Sequence, residues 1–130
     1  MLAVSQELGI ESELIPRIAT AFGGGIGGRG AVCGAVVGSV MAIGLKHGRE
    51  EAWQPRDKGY ALAQEFCRRF EQETGSLYCR ELTEMDLSTE EGRKAFYSSD
   101  VPIRVCLPAA GVAFRLVMEL LRRPDPPADD

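Results

Sequence analysis

The stretch over residues 22–48, FGGGIGGRGAVCGAVVGSVMAIGLKHG, decides the fold that this sequence predicts. It opens with a run of glycines, and so many glycines in one bend indicate positive φ angles or a very close approach to a neighbouring segment. Residues 31–47 predict one apolar helix, with Cys33 in its first turn and Gly48 as its stop. Because this helix is shorter than the about 20 residues that a membrane span requires, we expect it to be the buried centre of a helical domain.

The glycine run also contains Gly25-x-Gly27-x-x-Gly30, the spacing of a dinucleotide-binding fingerprint. That fingerprint follows a strand and belongs to a βαβ unit. Here a helical pattern precedes the glycines, and no strand pattern occurs elsewhere in the sequence. We therefore expect a tight connection between two helices, and an anion or thiolate site at the N-terminus of the next helix stays open.

Apolar residues at helical spacing predict further helices around the central one. The longer ones cover residues 1–8, 12–22, 57–73 and 108–121, and short ones begin near residues 76 and 88. The sequence thus predicts an all-α compact bundle of about four main helices, plus short helices, around a central apolar helix rich in glycine and alanine. We expect a single helical domain over residues 1–123 and a flexible acidic tail over residues 124–130.

Three packing expectations follow from the same patterns. Gly34, Gly38 and Ala42 form a row of small residues that lets a neighbouring helix approach closely. The second helix carries an apolar stripe, and Trp53 is predicted to anchor the polar connection over residues 48–55 to the core. The stripe consists of Leu14, Ile15, Ile18, Ala21 and Phe22.

Charge and composition exclude some functions. The 130-residue chain has a formal net charge of -4, so it offers no basic face for a nucleic-acid backbone. No basic segment followed by a signal-like apolar run opens the sequence. We therefore expect a cytoplasmic protein that is not integral to a membrane and has no nucleic-acid partner.

The chemistry that this sequence offers lies in its cysteines. Cys33, Cys79 and Cys106 are each predicted at or just before a helix N-terminus, where the helix dipole stabilises a thiolate. Cys67 lies mid-helix on an apolar face and is expected to behave as a small hydrophobic residue. The three candidates do not form a C-x-x-C knuckle, so any joint site must be assembled by the tertiary fold. His47, the only histidine, is expected to cap a helix end rather than bind a ligand.

The segments AFGGGIGGRGAVCGAVVGSVMAIGLKHGR and FEQETGSLYCREL, followed by a late cysteine before a terminal helix, resemble the C_GCAxxG_C_C family of redox-active proteins. The resemblance covers nearly the whole chain. Members are small helical proteins with four signature cysteines, often encoded near transporter genes. The resemblance implies signature positions at Cys33, Cys79 and Cys106, and it leaves Cys67 outside the signature.

A more distant similarity to the cysteine-bearing domain of split-Soret cytochromes implies a homodimer, although no C-x-x-C-H motif supports covalent haem. The family's first signature cysteine precedes the segment that resembles residues 1–8, so this chain lacks it. We expect a longer native N-terminus, because the first helix begins without a capping residue. Mass spectrometry that finds a native protein beginning at Met1 would contradict this expectation.

Two classes of function stay open. In the first, two of Cys33, Cys79 and Cys106 cycle between dithiol and disulfide with an electron-transfer partner, or the three together hold an iron–sulfur or other thiolate-bound metal centre. In the second, the chain is a non-catalytic helical oligomeric module that partners a membrane transporter. The proximity of the cysteine sulfurs discriminates between the two classes.

Overall fold

The computed structural model describes residues 1–125, which form helices joined by short turns. Among these residues there is no strand, so the predicted all-α class is confirmed. The helices are α1 (Leu2–Glu7), α2 (Leu14–Ala19), α3 (Gly23–Ile26), α4 (Gly34–His47), α5 (Asp57–Thr74), α6 (Cys79–Thr83), α7 (Glu90–Ser98) and α8 (Leu107–Leu121). A 3₁₀ turn, Thr20–Phe22, precedes α3, and a π-helical turn, Pro102–Cys106, leads directly into α8.

The three longest helices, α4, α5 and α8, pack on one another and form the core. Their apolar residues recur at helical spacing, so each helix turns one face inward. Phe66 and Phe70 of α5 are fully buried, with ring centroids 5.9 Å apart. The other fully buried side chains include Ala42, Leu116, Val117 and Leu121.

The row of small residues on α4 allows close backbone approach, as expected. A Cβ atom added at Gly34 would lie 3.1 Å from the Phe22 carbonyl oxygen, and one added at Gly38 would lie 3.1 Å from the Met1 nitrogen. Ala42 is completely buried. This row therefore holds α1 and the segment before α3 against the central helix.

Several local predictions were wrong. Trp53 is 81% exposed, because the loop over residues 48–55 is held by its own polar contacts: the Gln54 side-chain oxygen accepts from the backbone N–H groups of Glu50 and Glu51. The predicted apolar stripe of the second helix is not buried as a whole. Within α2, which ends at Ala19, Ile15 is buried, whereas Leu14 and Ile18 are exposed.

The central helix begins at Gly34 rather than at residue 31, because the residues before it are extended and pair with another segment. Among residues 1–125, no single helix has both the length and the apolar character needed to cross a membrane. The bent pair Glu90–Ser98 and Pro102–Leu121, at 75°, meets the length and composition criteria only jointly. Most of the predicted acidic tail, residues 126–130, lies outside the described residues.

Candidate functional site

A left-handed glycine turn precedes the candidate site. Gly24 and Gly25 have φ angles of 63° and 69°, and Ile26 shares this conformation at φ 64°. L-residues avoid this region because Cβ approaches the following carbonyl oxygen, so glycine is the residue that accommodates it. Hydrogen bonds from Gly30 N–H to Gly24 O (3.1 Å) and from Ala31 N–H to Gly25 O (3.0 Å) close the turn.

Gly25 is the tightest point of this turn. A Cβ atom there would lie 2.6 Å from both the N and the O atoms of Ala31, and 2.7 Å from the Cβ atom of Cys79. These distances are far below van der Waals contact, and two of the three atoms belong to the backbone. The absence of a side chain at Gly25 therefore allows the residues before α4 and the start of α6 to pack closely against the glycine turn.

The segments before α4 and α6 form a short antiparallel pair, centred on Val32 opposite Tyr78. Cys33 N–H donates to Leu77 O at 2.8 Å, and Cys79 N–H donates to Ala31 O at 2.7 Å. Because successive side chains of extended backbone alternate in direction, Cys33 and Cys79 leave the pair on the same side, opposite Val32 and Tyr78. They are diagonal neighbours, for which a Cα separation of about 7–8 Å is typical.

Cys33 is the N-cap residue of α4, with φ −55° and ψ 133°, rather than a first-turn residue as predicted. Its carbonyl oxygen accepts hydrogen bonds from the N–H groups of Val36 (2.9 Å) and Val37 (3.1 Å). The prediction of a helix N-terminus holds in this altered form. The Cys33 side chain lies at the N-terminal end of a 14-residue helix, which is the positive end of the helix dipole.

Cys79 is the first residue of α6 and is 8% exposed, packed with Leu87, Phe96 and Val101. Burial raises the pKa of this thiol, and the charges of the Cys33 and Cys106 thiolates raise it further; a hydrogen bond with the Thr83 side chain acts in the opposite direction. Cys79 therefore lies at a helix N-terminus, as predicted, but its burial disfavours the thiolate.

Cys106 is the last residue of the π-helical turn and continues without a break into α8. Leu107 N–H donates to Pro102 O, so the helical path begins a full turn before Cys106. Cys106 thus lies just ahead of α8, as predicted, but the π-helical turn before it means that the helical path does not begin there. Burial raises the pKa of the Cys106 thiol, and the charge of a Cys33 thiolate raises it further.

The fold brings three of the four cysteines together and keeps the fourth apart. Cys33 influences the ionisation of both Cys79 and Cys106. Cys106 packs against the small apolar cluster that contains Cys79. Cys67 packs against the main core, which Cys33 also contacts, and burial followed by the charge of Glu71 raises the pKa of Cys67. All four cysteines are free.

The cysteines do not form a metal centre in this arrangement. Within residues 1–125, no group of three or more His, Cys, Asp or Glu side chains is disposed to hold a metal ion. The three thiols as they lie do not fit a preformed thiolate-bound metal or iron–sulfur site. His47 lies at the far end of α4 from Cys33, and the hydrogen bonds described within residues 1–125 show no capping contact from its ring.

The glycine run was predicted to approach a neighbouring segment closely, and Gly25 does so, but sequence reasoning missed the antiparallel pair. Residues 31–33 (AVC) and 77–79 (LYC) each place a β-favouring residue directly before a cysteine. This matching pattern is the signal that could have revealed the pairing, although two three-residue segments are too short to identify it from the sequence.

Fold and site together define a small all-α protein that gathers three free thiols beside a short extended pair. The chain belongs to the family described as "Putative redox-active protein (C_GCAxxG_C_C)", whose model matches residues 1–120. No curated protein and no solved structure matches the chain.

Proposed function

We propose that the protein performs thiol–disulfide exchange, with Cys33 as the attacking thiol and Cys79 as the resolving thiol. The antiparallel pair centred on Val32 and Tyr78 carries this proposal, because it holds the two cysteines on one side of adjacent segments. Diagonal neighbours lie close to the Cα limit of about 7 Å for a disulfide, so a small backbone movement suffices to join them.

The roles follow from the environments of the two thiols. Cys33 is only partly buried and caps a long helix, so its sulfur is the more accessible of the two to a substrate disulfide. Burial raises the pKa of the Cys79 thiol, so this group stays protonated until the reaction reaches it. A thiol that is buried beside an attacking thiolate suits the second step of exchange better than the first.

The reaction balances with a disulfide as the oxidant. The Cys33 thiolate attacks one sulfur of an R–S–S–R′ substrate, forming a mixed disulfide and releasing R′S⁻. Cys79 then loses its proton and attacks the Cys33 sulfur, which releases RS⁻ and forms the Cys33–Cys79 disulfide. Two electrons pass from the protein to the substrate, and a dithiol partner restores the protein by the reverse sequence.

The test uses the aromatic disulfide 5,5′-dithiobis(2-nitrobenzoate) on a reduced double variant, Cys67→Ser with Cys106→Ser, which retains only the proposed pair. We expect two thiolate equivalents to be released and the protein to carry no aromatic label. The matched variant, Cys67→Ser with Cys79→Ser, retains Cys33 and Cys106 and should keep the label on Cys33. Equally fast closure in that variant would assign the resolving role to Cys106 and contradict the proposed pair.

A second candidate function, assembly with another copy of the chain, is favoured by one surface. Ile103, Leu107, Ala110 and Phe114 are exposed at spacings of four, three and four residues along the π-helical turn and α8. An apolar stripe of this spacing suits packing against another helix and supports the homodimer. We expect sedimentation equilibrium to show a dimer that Leu107→Lys dissociates; an unchanged mass for that variant would contradict this role for the stripe.

The proposal extends to the location, partner and domain organisation of the protein. A cytoplasmic location is part of the proposal, because a reducing compartment returns a disulfide to the dithiol that begins the cycle. The protein's partner would be a dithiol or disulfide protein, and a transporter encoded nearby is the partner that the family's gene context favours. We further propose that residues 1–123 form one domain, since α8 packs on both α4 and α5.

A further inference from the structure

A cavity of about 250 Å³ lies between the C-terminal half of α4 and the first turns of α5. We call it the α4–α5 pocket; its apolar wall is formed by Val40, Ile43 and Ala63. Helix α4 rises about 1.5 Å per residue, so the lining residues Val40 to His47 lie about 10–20 Å along the helix axis from Cys33. The pocket is therefore separate from the thiol site.

Glycines create much of the space in this pocket. Gly44 lies in the C-terminal half of α4, and a Cβ atom added there would have no neighbour within 4 Å. Unlike Gly34 and Gly38, it is not required for the approach of another segment. A glycine inside a helix lowers helix stability relative to alanine, and at this position the missing side chain leaves the pocket open. Gly48 and Gly59 line the same space.

The polar lining of the pocket is positively charged, although the chain as a whole is acidic. Its charged side chains are Arg49 and Arg56, its imidazole is that of His47, and no carboxylate within residues 1–125 lines it. Within residues 1–125 neither arginine forms an ion pair; the Arg56 guanidinium lies 4.9 Å from the centre of the Tyr60 ring. An arginine fixed over an aromatic ring still offers its N–H groups to an anion.

The surroundings of His47 act against its protonated form. Burial lowers the pKa of His47, and the positive charges of Lys58 and Lys46 lower it further, while Asp125 acts in the opposite direction. Asp125 is itself paired with Lys58. The lowered pKa favours the neutral imidazole, so the positive charge of the pocket comes from Arg49 and Arg56.

We propose that the α4–α5 pocket binds a small amphipathic anion, an aromatic or branched-chain monocarboxylate. Its apolar body would lie against Ile43 and Ala63 in the space beside Gly44, and its carboxylate would meet the Arg56 guanidinium. Guanidinium groups match carboxylates in geometry as well as charge, and a cavity of this size accommodates a ligand smaller than a typical drug.

The test is an NMR titration of the full chain with phenylacetate, its neutral analogue phenylacetamide and its cationic analogue phenethylamine. We expect phenylacetate alone to shift the amide signals of Gly44, Gly48 and Gly59, with a Kd in the millimolar range. Arg56→Gln should weaken binding about tenfold, as expected for the loss of one charge-assisted hydrogen bond. Arg68→Gln, on the outer face of the same helix, is the matched control and should bind normally.

A second matched pair tests the cavity itself. Gly44→Leu should abolish binding by filling the pocket. Gly111→Leu should bind as the natural sequence does, since an added Cβ there also contacts nothing within 4 Å but lies on α8. Equal binding of all three ligands, or undiminished binding by Gly44→Leu, would overturn the proposal. A chain truncated after Asp125 gives one more test. If phenylacetate binds only to this truncated chain, the proposal is overturned, because the acidic C-terminus would then be the natural occupant of the pocket.

Discussion

The left-handed glycine turn allows a sharp comparison between two neighbouring substitutions, Gly25→Ala and Gly24→Ala. Both positions have nearly the same backbone conformation, with φ angles of 69° and 63°. They differ in their surroundings, because a Cβ atom at Gly24 contacts nothing within 4 Å, whereas one at Gly25 meets Ala31 and Cys79 below 3 Å. The pair therefore separates conformational strain from packing.

The expected magnitudes follow from these two contributions. Placing alanine in the left-handed region costs about 1–2 kcal/mol, and this is the whole expected effect at Gly24. At Gly25 the overlap adds about 1–3 kcal/mol, because two of the three close atoms are backbone atoms that cannot rotate away. We expect Gly25→Ala to lower the free energy of unfolding by about 2–5 kcal/mol in total.

Urea unfolding of the reduced proteins, followed by circular dichroism, measures both changes. Displacement of the paired segments in Gly25→Ala should also expose the Cys79 thiol, which is 8% exposed in the natural sequence, and increase its alkylation rate. Gly24→Ala should leave that rate unchanged. Equal losses of stability in the two variants, with Cys79 equally protected, would refute the role of Gly25 in holding α6 against the residues before α4.

Three further predictions concern other parts of the fold. Trp53→Ala should change the free energy of unfolding by less than about 0.5 kcal/mol, whereas Phe66→Ala should lower it by about 3–5 kcal/mol; a large effect at Trp53 would show that it is buried in solution. Thr89→Ala should lower the same free energy by about 1 kcal/mol, because the Thr89 hydroxyl accepts from Gly92 N–H at 3.0 Å, and Thr89→Ser should restore most of it. Burial raises the pKa of Cys79 above its ordinary 9.0, so the folded state keeps this proton to a higher pH than the unfolded state does. The stability that this difference contributes is present below pH 9 and is lost as the pH rises above 9. Unfolding of reduced protein across this pH range should show a shallower decline for Cys79→Ala than for the natural sequence, and identical slopes would contradict the raised pKa.

Features that depend on local contacts could be predicted from the sequence. The all-α class follows from helical apolar spacing, and the cap at Thr89 follows from a hydrogen bond between residues three positions apart. The small-residue row on α4 was also predictable. Glycine destabilises a helix, so Gly34 and Gly38 on one helix face indicate that another segment approaches closely there.

Features that depend on distant segments could not be predicted. The residues before α4 become extended because they pair with residues 77–80, and a helical pattern alone does not reveal that competition. Trp53 is exposed because the polar contacts of its loop keep it away from the core. Cys106 lies within a continuous helical path because Pro102 begins a π-helical turn, and proline is equally compatible with a simple helix start at Pro108.

The central claim is that Cys33 and Cys79 form the working dithiol. Trypsin places each cysteine in a separate peptide, residues 30–46, 59–68, 70–80 and 105–115. We expect mild oxidation of the full chain with diamide, followed by alkylation, digestion and mass spectrometry, to yield residues 30–46 joined to residues 70–80, with Cys67 alkylated. A disulfide that includes Cys67, or a dominant link from residues 30–46 to residues 105–115, would contradict the claim.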